Sequence, residues 1–446
     1  MNRQRIGHSS SDALYHHQLL PAMGKFLPHR GLALETQDNR VRWTDRLLAV
    51  MALLMAWQAG ATLKDRFEAC WQVVADMYPS RRRGGHTYEG FIRGLGNKSE
   101  CLLQRVAAAL RKAVQRVAGD GWKIGGWVVM GVDGSRINCP RTRANEQAFG
   151  CAGRDKTGPQ QLVTTVLHVG SGLIWDWRRG TGKAAERNHL RDMIATLPAG
   201  SLLLADAGFT GYDLLKELIA TGRSFVIRAG AHVSLLTHLG YAVGEHDGIV
   251  YLWPQAKRDR EPLILRMVVV NDGRRGVYLL TNVLDESRLA DSQVARMYSR
   301  RWGIEVFYRS LKQTLQKRKM LSTSPDHASV ELDWAMAGLW MLGLLTVERL
   351  DGGQGSPSRW SAAKSLRVIR RVMSGRGSRW DARDLRALSG AGKDAYRRLG
   401  SKTARDWPAK KKQSPPKPPI IRVATDKQKQ QAQRIKARSA PIPFAA

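Results

Sequence analysis

Four side chains able to bind a metal ion or a phosphate group recur at fixed spacing within Met297–Lys319. They are Tyr298, Arg301, Glu305 and Lys312, at intervals of three, four and seven residues. At 3.6 residues per turn, this spacing places all four on one face of a helix. A carboxylate held among cations suits metal binding beside a polyanion. Taken alone, however, the stripe is more typical of a solvated helix face with ion pairs.

An apolar stripe runs along the same stretch, about one residue's rotation round the helix axis from the polar face. Its members are Met297, Ile304, Phe307, Leu311 and Leu315. Tyr308 falls on the polar stripe. The pattern predicts one long helix, from about Ser287 to Lys319, which packs by its apolar face and presents a polar one.

Two further carboxylates follow short apolar runs that are typical of buried strands. Asp133 comes directly after Trp127–Val132, and Asp206 comes directly after Leu202–Ala205. Each has a structural alternative, because aspartate is common in turns before glycine and often caps a following helix. The surrounding elements decide between these interpretations.

Those elements alternate between strands and helices. We predict strands at Trp127–Val132, Leu162–Val169, Leu173–Arg178, Leu202–Ala205 and Ser224–Arg228, and helices at Ala184–Leu197 and Tyr212–Thr221. Ser171-Gly172, between the second and third strands, is a hairpin signal. The order is β-β-β-α-β-α-β, followed by the long helix.

This order brings the three carboxylates within reach of one another. In a ribonuclease-H-like sheet, the first and fourth strands are neighbours and the last helix packs across them. Asp133, Asp206 and Glu305 can therefore converge. Such hard oxygen ligands suit Mg²⁺ or Mn²⁺.

The chain carries an unusually large positive charge. Lys and Arg number 72 against 38 Asp and Glu, a net charge of +34. A polyanionic partner is expected, because neutralising phosphates releases condensed counterions, although a membrane surface is a competing polyanion. The longest apolar runs, Leu47–Trp57 and Trp334–Val347, are shorter than the roughly 20 residues that span a bilayer. We therefore expect a cytoplasmic protein without a membrane partner.

The composition along the chain predicts an α/β core with helical and β-rich additions. The predicted ranges are 1–120 for an α-helical N-terminal DNA-binding domain, 121–230 for the first part of a ribonuclease-H-like core with a mixed five-stranded sheet, 231–285 for an all-β insertion, 286–350 for the second part of the core, and 351–446 for a basic C-terminal region. The proline-rich, cationic tail is predicted to be disordered from about residue 410.

These motifs resemble the DDE transposases of bacterial insertion sequences. The resemblance is to the group with the Tyr-x2-Arg-x3-Glu-x6-Lys signature, the insertion sequence 4 family, and the signature fits spacing for spacing at Tyr298, Arg301, Glu305 and Lys312. The segments VMGVDGSRI, LLLADAGFTGY and TYEGFIRGL are also similar to that group. The resemblance covers roughly residues 45 to 350.

The resemblance implies cut-and-paste DNA transposition, with a DNA hairpin as an intermediate. Asp133, Asp206 and Glu305 would hold two Mg²⁺ ions (Mn²⁺ is an alternative) for strand cleavage and strand transfer. The signature residues Tyr298, Arg301 and Lys312 would contact phosphates near the transposon end. The implied partners are the terminal inverted repeats, the target DNA and a second copy of the chain, as a homodimer on paired ends at the bacterial nucleoid.

A few other residues are further candidates for DNA binding. Arg136, three residues beyond Asp133, is a further candidate for DNA contact, as is the basic loop Arg81–Arg83. Trp253 is a candidate for stacking on a flipped base, against the alternative of a core tryptophan. The remaining acidic and histidine residues in this region are expected to be structural: Asp176, Asp213, Glu217, His168 and His189.

Two other functions remain open from the residues alone. A ribonuclease-H-like nuclease would cut DNA or RNA without strand transfer. A DNA-binding protein with a decayed active site would bind without cutting. The signature stretch argues against the first, and the intact carboxylates argue against the second.

Overall fold

The computed structural model describes residues 18–27, 32, 42–78, 84–151, 158–271, 276–350, 360–374, 384–392 and 417–439. The basic loop Arg81–Arg83 and the tail residues 410–416 and 440–446 lie outside these ranges. Within them the protein is mixed α/β, as predicted. Residues 18–24 are also helical.

The helices are numbered in chain order. They are α1 (Asp45–Trp57), α2 (Leu63–Met77), α3 (Tyr88–Ala118), α4 (Arg143–Phe149), α5 (Glu186–Arg191), α6 (Tyr212–Ala220), α7 (Asp291–Ser299), α8 (Trp302–Arg309), α9 (Pro325–Val347), α10 (Ala362–Ser374) and α11 (Asp426–Ser439). Short 3-10 helices lie at Gly119–Trp122, Ile194–Thr196, Ala207–Phe209, Gln255–Lys257 and Leu385–Gly390, and a π-helix at Ser310–Thr314.

The strands are numbered in the same way. They are β1 (Val128–Asn138), β2 (Gln160–His168), β3 (Leu173–Thr181), β4 (Ser201–Ala205), β5 (Ser224–Arg228), β6 (Ser234–Thr237), β7 (Ile249–Leu252), β8 (Leu263–Asn271), β9 (Gly276–Thr281) and β10 (Ile420–Val423). The five strands predicted for the core correspond to β1–β5. Strand β1 continues past Asp133 to Asn138, further than the sequence pattern predicted.

The chain divides into two compact units. The first comprises Met1–Trp122, Gly134–Ala185 and Gly303–Lys393. The second comprises Lys123–Asp133, Glu186–Trp302 and Asp394–Ala446. Strand β1 therefore contributes to the second unit up to Asp133 and to the first unit from Gly134.

The first unit has a helical core built on α1 and α9. Nearly every residue of both helices is buried. Trp57 Nε1 donates to the Gly338 carbonyl oxygen at 2.8 Å, and a Cβ at Gly338 would stand 2.5 Å from that of Ala56. Glycine at 338 thus permits the close approach of the two helices. Among the described residues, α9 alone is long and apolar enough to cross a membrane, yet 94% of that apolar stretch is buried inside the protein.

The hairpin of β2 and β3 belongs to the first unit and turns at Ser171-Gly172, as predicted. Gly172 has a φ of 67°, which favours glycine there. The buried His168 Nε2 donates to the Trp122 carbonyl oxygen at 3.0 Å, and Nδ1 accepts from the Ser171 backbone N–H at 3.2 Å. Because the carbonyl can only accept, the ring is held as the neutral Nε2–H tautomer.

Acid should therefore destabilise the protein through His168. Burial lowers the pKa of His168 from 6.5 to about 4. Since the folded pKa lies below the unfolded one, this contribution to stability is complete above pH 6.5 and is lost as the pH falls towards 4. Urea unfolding across this range should show the loss in the parent protein, on the order of 3 kcal/mol. The same slope in His168→Gln would contradict this assignment.

The second unit is organised by a sheet in the order β10-β6-β7-β8-β9-β5-β4-β1. Strands β1, β4 and β5 are parallel neighbours, and β9 pairs antiparallel with β5, with Val226 opposite Thr281. The strands predicted for the insertion therefore continue the core sheet through β9. The sheet is larger than the five-stranded one predicted because this insertion pairs with its edge.

The prediction of a disordered tail is wrong for residues 417–439. Strand β10 pairs in parallel with β6, and α11 follows it. Ala424 and Ala432 join one hydrophobic cluster with residues of β6, β7 and the following turns: Leu236, Leu239, Ile249, Tyr251 and Trp253. Gln431 and Lys436 of α11 also donate to the backbone oxygens of Arg258 and Tyr241, both at 2.9 Å. Strand pairing, two alanines in the cluster and two hydrogen bonds thus hold this polar segment in a regular fold.

The single long helix predicted over the signature stretch is also wrong. The chain forms α7, turns at Arg300–Arg301, forms α8 and then widens into the π-helix. The predicted apolar stripe is nevertheless buried throughout, with Met297, Ile304, Phe307, Leu311 and Leu315 each at most 6% exposed. The periodicity identified the buried side chains but not the break in the helix.

Candidate active site

Asp133 lies on β1, and Asp206 directly follows β4, the parallel neighbour of β1 in the second unit. Strands β1 and β4 pair Met130 with Leu203 and Gly131 with Leu204. Continuing that register by two residues sets Asp133 opposite Asp206, with the two backbones about 5 Å apart. Paired residues of parallel strands point to the same face, so the two carboxylates, both half-buried, share one edge of the sheet.

Asp206 also performs the capping role that its sequence context allowed. Its backbone is still extended, and Oδ1 accepts from the Gly208 N–H at 2.8 Å, which caps the 3-10 helix Ala207–Phe209. The hydrogen bond fixes the direction of the carboxylate and uses one of its oxygens. Capping and metal binding are therefore compatible here, because an ionised carboxylate has about four acceptor positions.

Two signature residues belong to the same unit as Asp206. The Arg301 guanidinium lies over the Tyr298 ring, 5.8 Å from its centroid. Burial raises the pKa of Tyr298, partly offset by the positive charges of Arg301 and Arg228, while the Asp206 charge raises it further. Tyr298 thus interacts with the charge of Asp206 and with the positive charges of Arg301 and Arg228.

The aspartate pair fits a divalent cation. Mg²⁺ commonly binds through one or two carboxylates and completes its shell with water and substrate phosphate. Among the residues that the structure describes, no three His, Cys, Asp or Glu side chains are grouped closely enough to hold an ion by themselves. Asp133 and Asp206 supply oxygen donors of the kind that such an ion prefers.

Glu305, on α8, lies in a cationic cleft of the first unit. The cleft has a volume of about 440 Å³. Its lining contains four cations, two amides and a tyrosine besides the carboxylate: Arg136, Arg309, Lys312, Arg318, Asn138, Gln313 and Tyr308. Such a lining suits a phosphate backbone, because arginine can bind phosphate through two parallel hydrogen bonds and lysine as a point charge.

The ends of β1 and of the segment after the π-helix together shape this cleft. The Asn138 N–H donates to the Arg318 carbonyl oxygen at 3.2 Å, and the Met320 N–H donates to the Asn138 carbonyl oxygen at 2.8 Å. Arg136 Nε donates to the Gly182 carbonyl oxygen at 3.0 Å, which orients its guanidinium. Burial, reinforced by the Arg318 charge, lowers the pKa of Lys312. An anion in the cleft would relieve that repulsion.

The sequence pattern missed part of this cleft and misassigned one residue. Arg309 and Arg318 line it but lie outside the signature spacing; the basic run Lys317–Lys319 was the available signal. Tyr308, placed on the polar stripe, is buried, and its hydroxyl lies 2.9 Å from the Val163 carbonyl oxygen and 3.1 Å from Thr165 Oγ1. It anchors α8 to β2.

Trp253 is a core residue, so its proposed role in base stacking is wrong. The side chain is only 2% exposed, Nε1 donates to the Arg260 carbonyl oxygen at 2.8 Å, and the Arg258 guanidinium covers the ring at 4.3 Å. Its sequence context, a strand end before proline, did not distinguish a buried ring from an exposed one.

Replacing Trp253 by alanine should therefore destabilise the fold. The large-to-small change in the cluster with Ala424 and Ala432 should cost about 3–5 kcal/mol. Urea unfolding measures this loss, with the exposed Val243→Ala as the control. A variant that kept the parent's stability and lost DNA binding would restore the stacking role.

The other acidic residues of this region have structural partners. Asp176 pairs with Arg178 at 2.8 Å and Arg111 at 3.5 Å. Asp213 pairs with Lys257 at 3.0 Å, and Glu217 pairs with Arg191 at 2.9 Å. These ion pairs agree with the structural role expected of the three acids.

The chain is similar to transposases over the region that contains these residues. Residues 128–342 match the family model of the transposase DDE domain. Transposase InsG for insertion sequence element IS4, from Escherichia coli (strain K12), is 28% identical over 217 residues, which are 46% of this chain and 49% of that protein. A second relative, from Synechocystis sp. and named for insertion sequence element IS4SA, is 20% identical over 178 residues, 38% of this chain and 49% of that protein. The chain spans about half the length of these curated relatives.

Among solved structures, this chain is similar to the one described as the cryo-EM structure of piggyBac transposase synaptic complex with hairpin DNA. The similarity covers 92% of this chain and 82% of the piggyBac chain. The TM-score is 0.39 and the sequence identity 11%. A TM-score this low does not establish a shared fold.

Residues 128–342 are thus a transposase DDE domain. The similarity to transposase InsG over 217 residues agrees with the resemblance to the DDE transposases of the insertion sequence 4 family that the motifs predicted. Domains of this family use divalent metal ions, which the Asp133–Asp206 pair fits.

Proposed function

We propose that this protein catalyses cut-and-paste transposition of an insertion sequence, by metal-dependent cleavage of DNA strands, a hairpin intermediate and strand transfer to target DNA. One observation carries the proposal. Strands β1 and β4 are parallel neighbours, with Asp133 two residues beyond their last observed pair on β1 and Asp206 directly after β4, inside the segment that matches the transposase DDE domain. A pair of carboxylates so placed is suited to holding a metal ion against a phosphodiester.

In this proposal Asp133, Asp206 and Glu305 act together as ligands. The spacing of the signature residues supports Glu305 as the third metal ligand. The cationic lining of the cleft that contains Glu305 supports a position beside a DNA phosphate. Two bound Mg²⁺ ions, or Mn²⁺ ions, would activate the attacking oxygen and stabilise the leaving one. The hydrogen bond from the Gly208 N–H directs the Asp206 carboxylate for this task.

Four further side chains would hold the DNA backbone near the reacting phosphate. Tyr298 is near Asp206, Arg301 lies over the Tyr298 ring, and Lys312 and Arg136 line the cleft of Glu305. These contacts would position the strand without reading its sequence. They use the types of residue that bind phosphate by hydrogen bonds and by charge.

The proposed domain organisation follows from the resemblance to the same family. We assign residues 121–230 and 286–350 to a ribonuclease-H-like core, 231–285 to the β-rich insertion and 1–120 to DNA binding. The net charge of +34 supports DNA as the partner at the nucleoid, in the form of terminal inverted repeats and target DNA. We propose no membrane partner, because the one helix long and apolar enough to cross a membrane among the described residues is buried inside the protein. Pairing of two element ends would be performed by a homodimer.

The test uses a supercoiled plasmid that carries the gene with its flanking DNA, and a second plasmid as target. The full chain should nick and release the element in Mg²⁺ and should stop when the metal is chelated. Glu305→Gln and Asp206→Asn should bind the DNA but not cut it. Asp213→Asn, which loses only a partly exposed ion pair, is the matched control and should cut normally.

The products distinguish the three candidate functions. Cut ends joined to the target plasmid support transposition. Metal-dependent cutting without joining would instead identify a nuclease. Binding without any cutting, in the parent as in the variants, would identify a protein with a decayed site.

A further inference from the structure

One uncharged side chain in the cleft of Glu305 is held in place from several directions. Asn138 lies on β1 two residues after Arg136, and both line the cleft. Because side chains alternate along a strand, Arg136 and Asn138 share one face of β1. Ile137 and Cys139, on the opposite face, are buried, whereas the Asn138 side chain is exposed.

The backbone of Asn138 is fixed by the segment that follows the π-helix. Its N–H donates to the Arg318 carbonyl oxygen at 3.2 Å, and its carbonyl oxygen accepts from the Met320 N–H at 2.8 Å. That segment is itself anchored, because Lys317 and Met320 are only 2% and 1% exposed. Both main-chain polar groups of Asn138 are thus used within the protein, and only its side chain can bind another molecule.

The side-chain amide of Asn138 is oriented by Gln160, the first residue of β2. Gln160 Nε2 donates to Asn138 Oδ1 at 2.9 Å. The amide oxygen of Asn138 therefore faces Gln160, and its nitrogen lies on the other side of the amide group. Among the described residues, the two N–H groups of Asn138 Nδ2 have no acceptor.

Gln160 holds this position at a cost to the fold. Its Oε1 is buried and has no hydrogen-bond partner within the described part of the chain. A buried acceptor without a donor destabilises a folded protein, so an apolar side chain of similar size would pack there more favourably. The hydrogen bond to Asn138 is what the amide of Gln160 contributes in return.

The orientation of the Asn138 amide selects the kind of group that it can bind. A phosphate oxygen only accepts hydrogen bonds, and the N–H groups of Nδ2 only donate. Recognition of an adenine edge by asparagine uses the amide oxygen as well as the nitrogen. Since Gln160 already binds the oxygen, the amide is better suited to a phosphate than to a base edge.

We propose that Asn138 donates a hydrogen bond from Nδ2 to a phosphate oxygen of the DNA strand in the cleft, and that Gln160 is the positioning residue that turns the amide for this contact. The inference rests on the proposed function, because it places DNA beside Glu305. A neutral donor adds a phosphate contact without adding repulsion between the cations of the cleft. The contact carries no sequence preference.

The first test measures binding of the full chain to a short duplex taken from the DNA that flanks the gene. Divalent metal is left out, so that no cleavage occurs. Asn138→Ala should bind roughly 10-fold more weakly, the effect of losing one hydrogen bond to a charged group. Gln147→Ala is the matched control, because Gln147 is an exposed amide of the first unit outside the cleft, and it should match the parent.

The salt dependence of the same binding separates a hydrogen bond from a charge. Asn138→Ala should keep the parent's slope of log affinity against log salt, because no charge is removed. Lys312→Ala should reduce that slope by about 0.9, the value for one phosphate contact on duplex DNA. Unchanged affinity in Asn138→Ala overturns the inference.

Nuclear magnetic resonance observes the amide directly. The protein is labelled with an NMR-active nitrogen isotope in asparagine only, and the side-chain resonance of Asn138 is identified by its loss in Asn138→Ala. Addition of the duplex should shift this resonance downfield, as expected of an N–H that donates to a phosphate. A resonance that does not move when the duplex is bound overturns the inference.

A double-mutant cycle tests the positioning role of Gln160. Gln160→Met should weaken binding roughly 2- to 10-fold in the parent and have no effect in the Asn138→Ala background. Its stability to urea should equal or exceed that of the parent, since the unpaired acceptor is removed. An equal loss of binding in both backgrounds would show that Gln160 acts through the fold alone, and it would overturn the positioning role.

Failure of the inference can be told from failure of the proposed function. If Glu305→Gln abolishes plasmid cleavage while Asn138→Ala binds as the parent does, the function stands and the amide contact falls. If the Asn138 resonance responds to DNA while Glu305→Gln cleaves normally, the contact stands and the proposed function falls.

Discussion

Asp133→Asn should lower Mg²⁺-dependent DNA cleavage by about 10³-fold or more, without loss of folding stability. Metal ions contribute several kcal/mol of transition-state stabilisation, and each 1.36 kcal/mol is a factor of ten in rate. Asp133 is on β1 and Asp206 directly follows its parallel neighbour β4, and the proposed function assigns both carboxylates to the metal. An amide in its place keeps the shape of the side chain but removes the charge that holds the ion.

The same pairing predicts the size of the stability change. Two carboxylates on adjacent strands repel each other when no cation lies between them. In Asp133→Asn the relief of this repulsion should offset the contacts that the carboxylate loses, so the free energy of unfolding in metal-free buffer should change little. Plasmid cleavage and urea unfolding on the same preparation measure both effects. Cleavage within tenfold of the parent, or a large loss of stability, would show that Asp133 is a structural turn residue.

Lys317→Met should destabilise the first unit by about 3–5 kcal/mol, the cost of leaving one charge of a buried pair uncompensated. Lys317 is 2% exposed, and its Nζ lies 2.7 Å from Glu331 Oε1. Glu331 Oε2 also accepts from the Leu321 N–H at 2.9 Å and the Ser322 N–H at 3.0 Å. The pair thus holds the segment that follows the π-helix and carries Arg318 into the cleft.

A double variant separates the ion pair from simple packing. Lys317→Met with Glu331→Gln removes both charges and keeps an acceptor for the Ser322 N–H, so it should recover part of the stability lost in Lys317→Met. Urea unfolding of the parent, the two single variants and the double variant measures the coupling. Purely additive losses would contradict the charge-pair explanation.

Acid should weaken the same segment at lower pH than it affects His168. Burial by itself would raise the pKa of Glu331, but Lys317 and the hydrogen bonds from Ser322 outweigh it and leave the pKa lowered from 4.5. A carboxyl with a depressed folded pKa stabilises the fold above the unfolded value and loses that contribution as the pH falls below it. Glu331→Gln should lack the part of the acid transition that lies below about pH 4.5.

Much of the core could be predicted because its strands are short apolar runs bounded by charged residues. Ser224–Arg228 was predicted at its observed bounds, and the Ser171-Gly172 turn was predicted from its residues alone. The buried stripe of the signature stretch was also predicted correctly. Apolar periodicity reports which side chains avoid water, and that information is local.

The features that the sequence did not reveal depend on contacts distant in the chain. A helical period continues through Arg300–Arg301 and the π-helix, so nothing local marks the break. Residues 417–439 are polar and basic. They fold because Ala432 packs into the hydrophobic cluster of the insertion and Gln431 donates a hydrogen bond to the Arg258 carbonyl oxygen. Trp253 is buried partly by that same segment. None of these contacts can be recognised from a periodic pattern of apolar residues in the sequence.

The candidate site was predicted by spacing and strand-end position, which are properties of the motif. Asp133 and Asp206 were placed on neighbouring strands because the order of elements restricts the topology. Arg309 and Arg318 were missed because a basic run on a basic chain carries little information. The structure identifies them through the cleft that they line with Glu305.

The most direct test of the central claim is backbone cleavage by iron bound in place of magnesium. Fe²⁺ binds oxygen ligands at divalent sites, and with ascorbate and peroxide it generates radicals that cut the polypeptide beside the ion. The proposed ligand set predicts cuts near residues 133, 206 and 305, all suppressed by excess Mg²⁺ and by Asp133→Asn. Cuts near 133 and 206 without any near 305, or cuts that persist in Asp133→Asn, would contradict it.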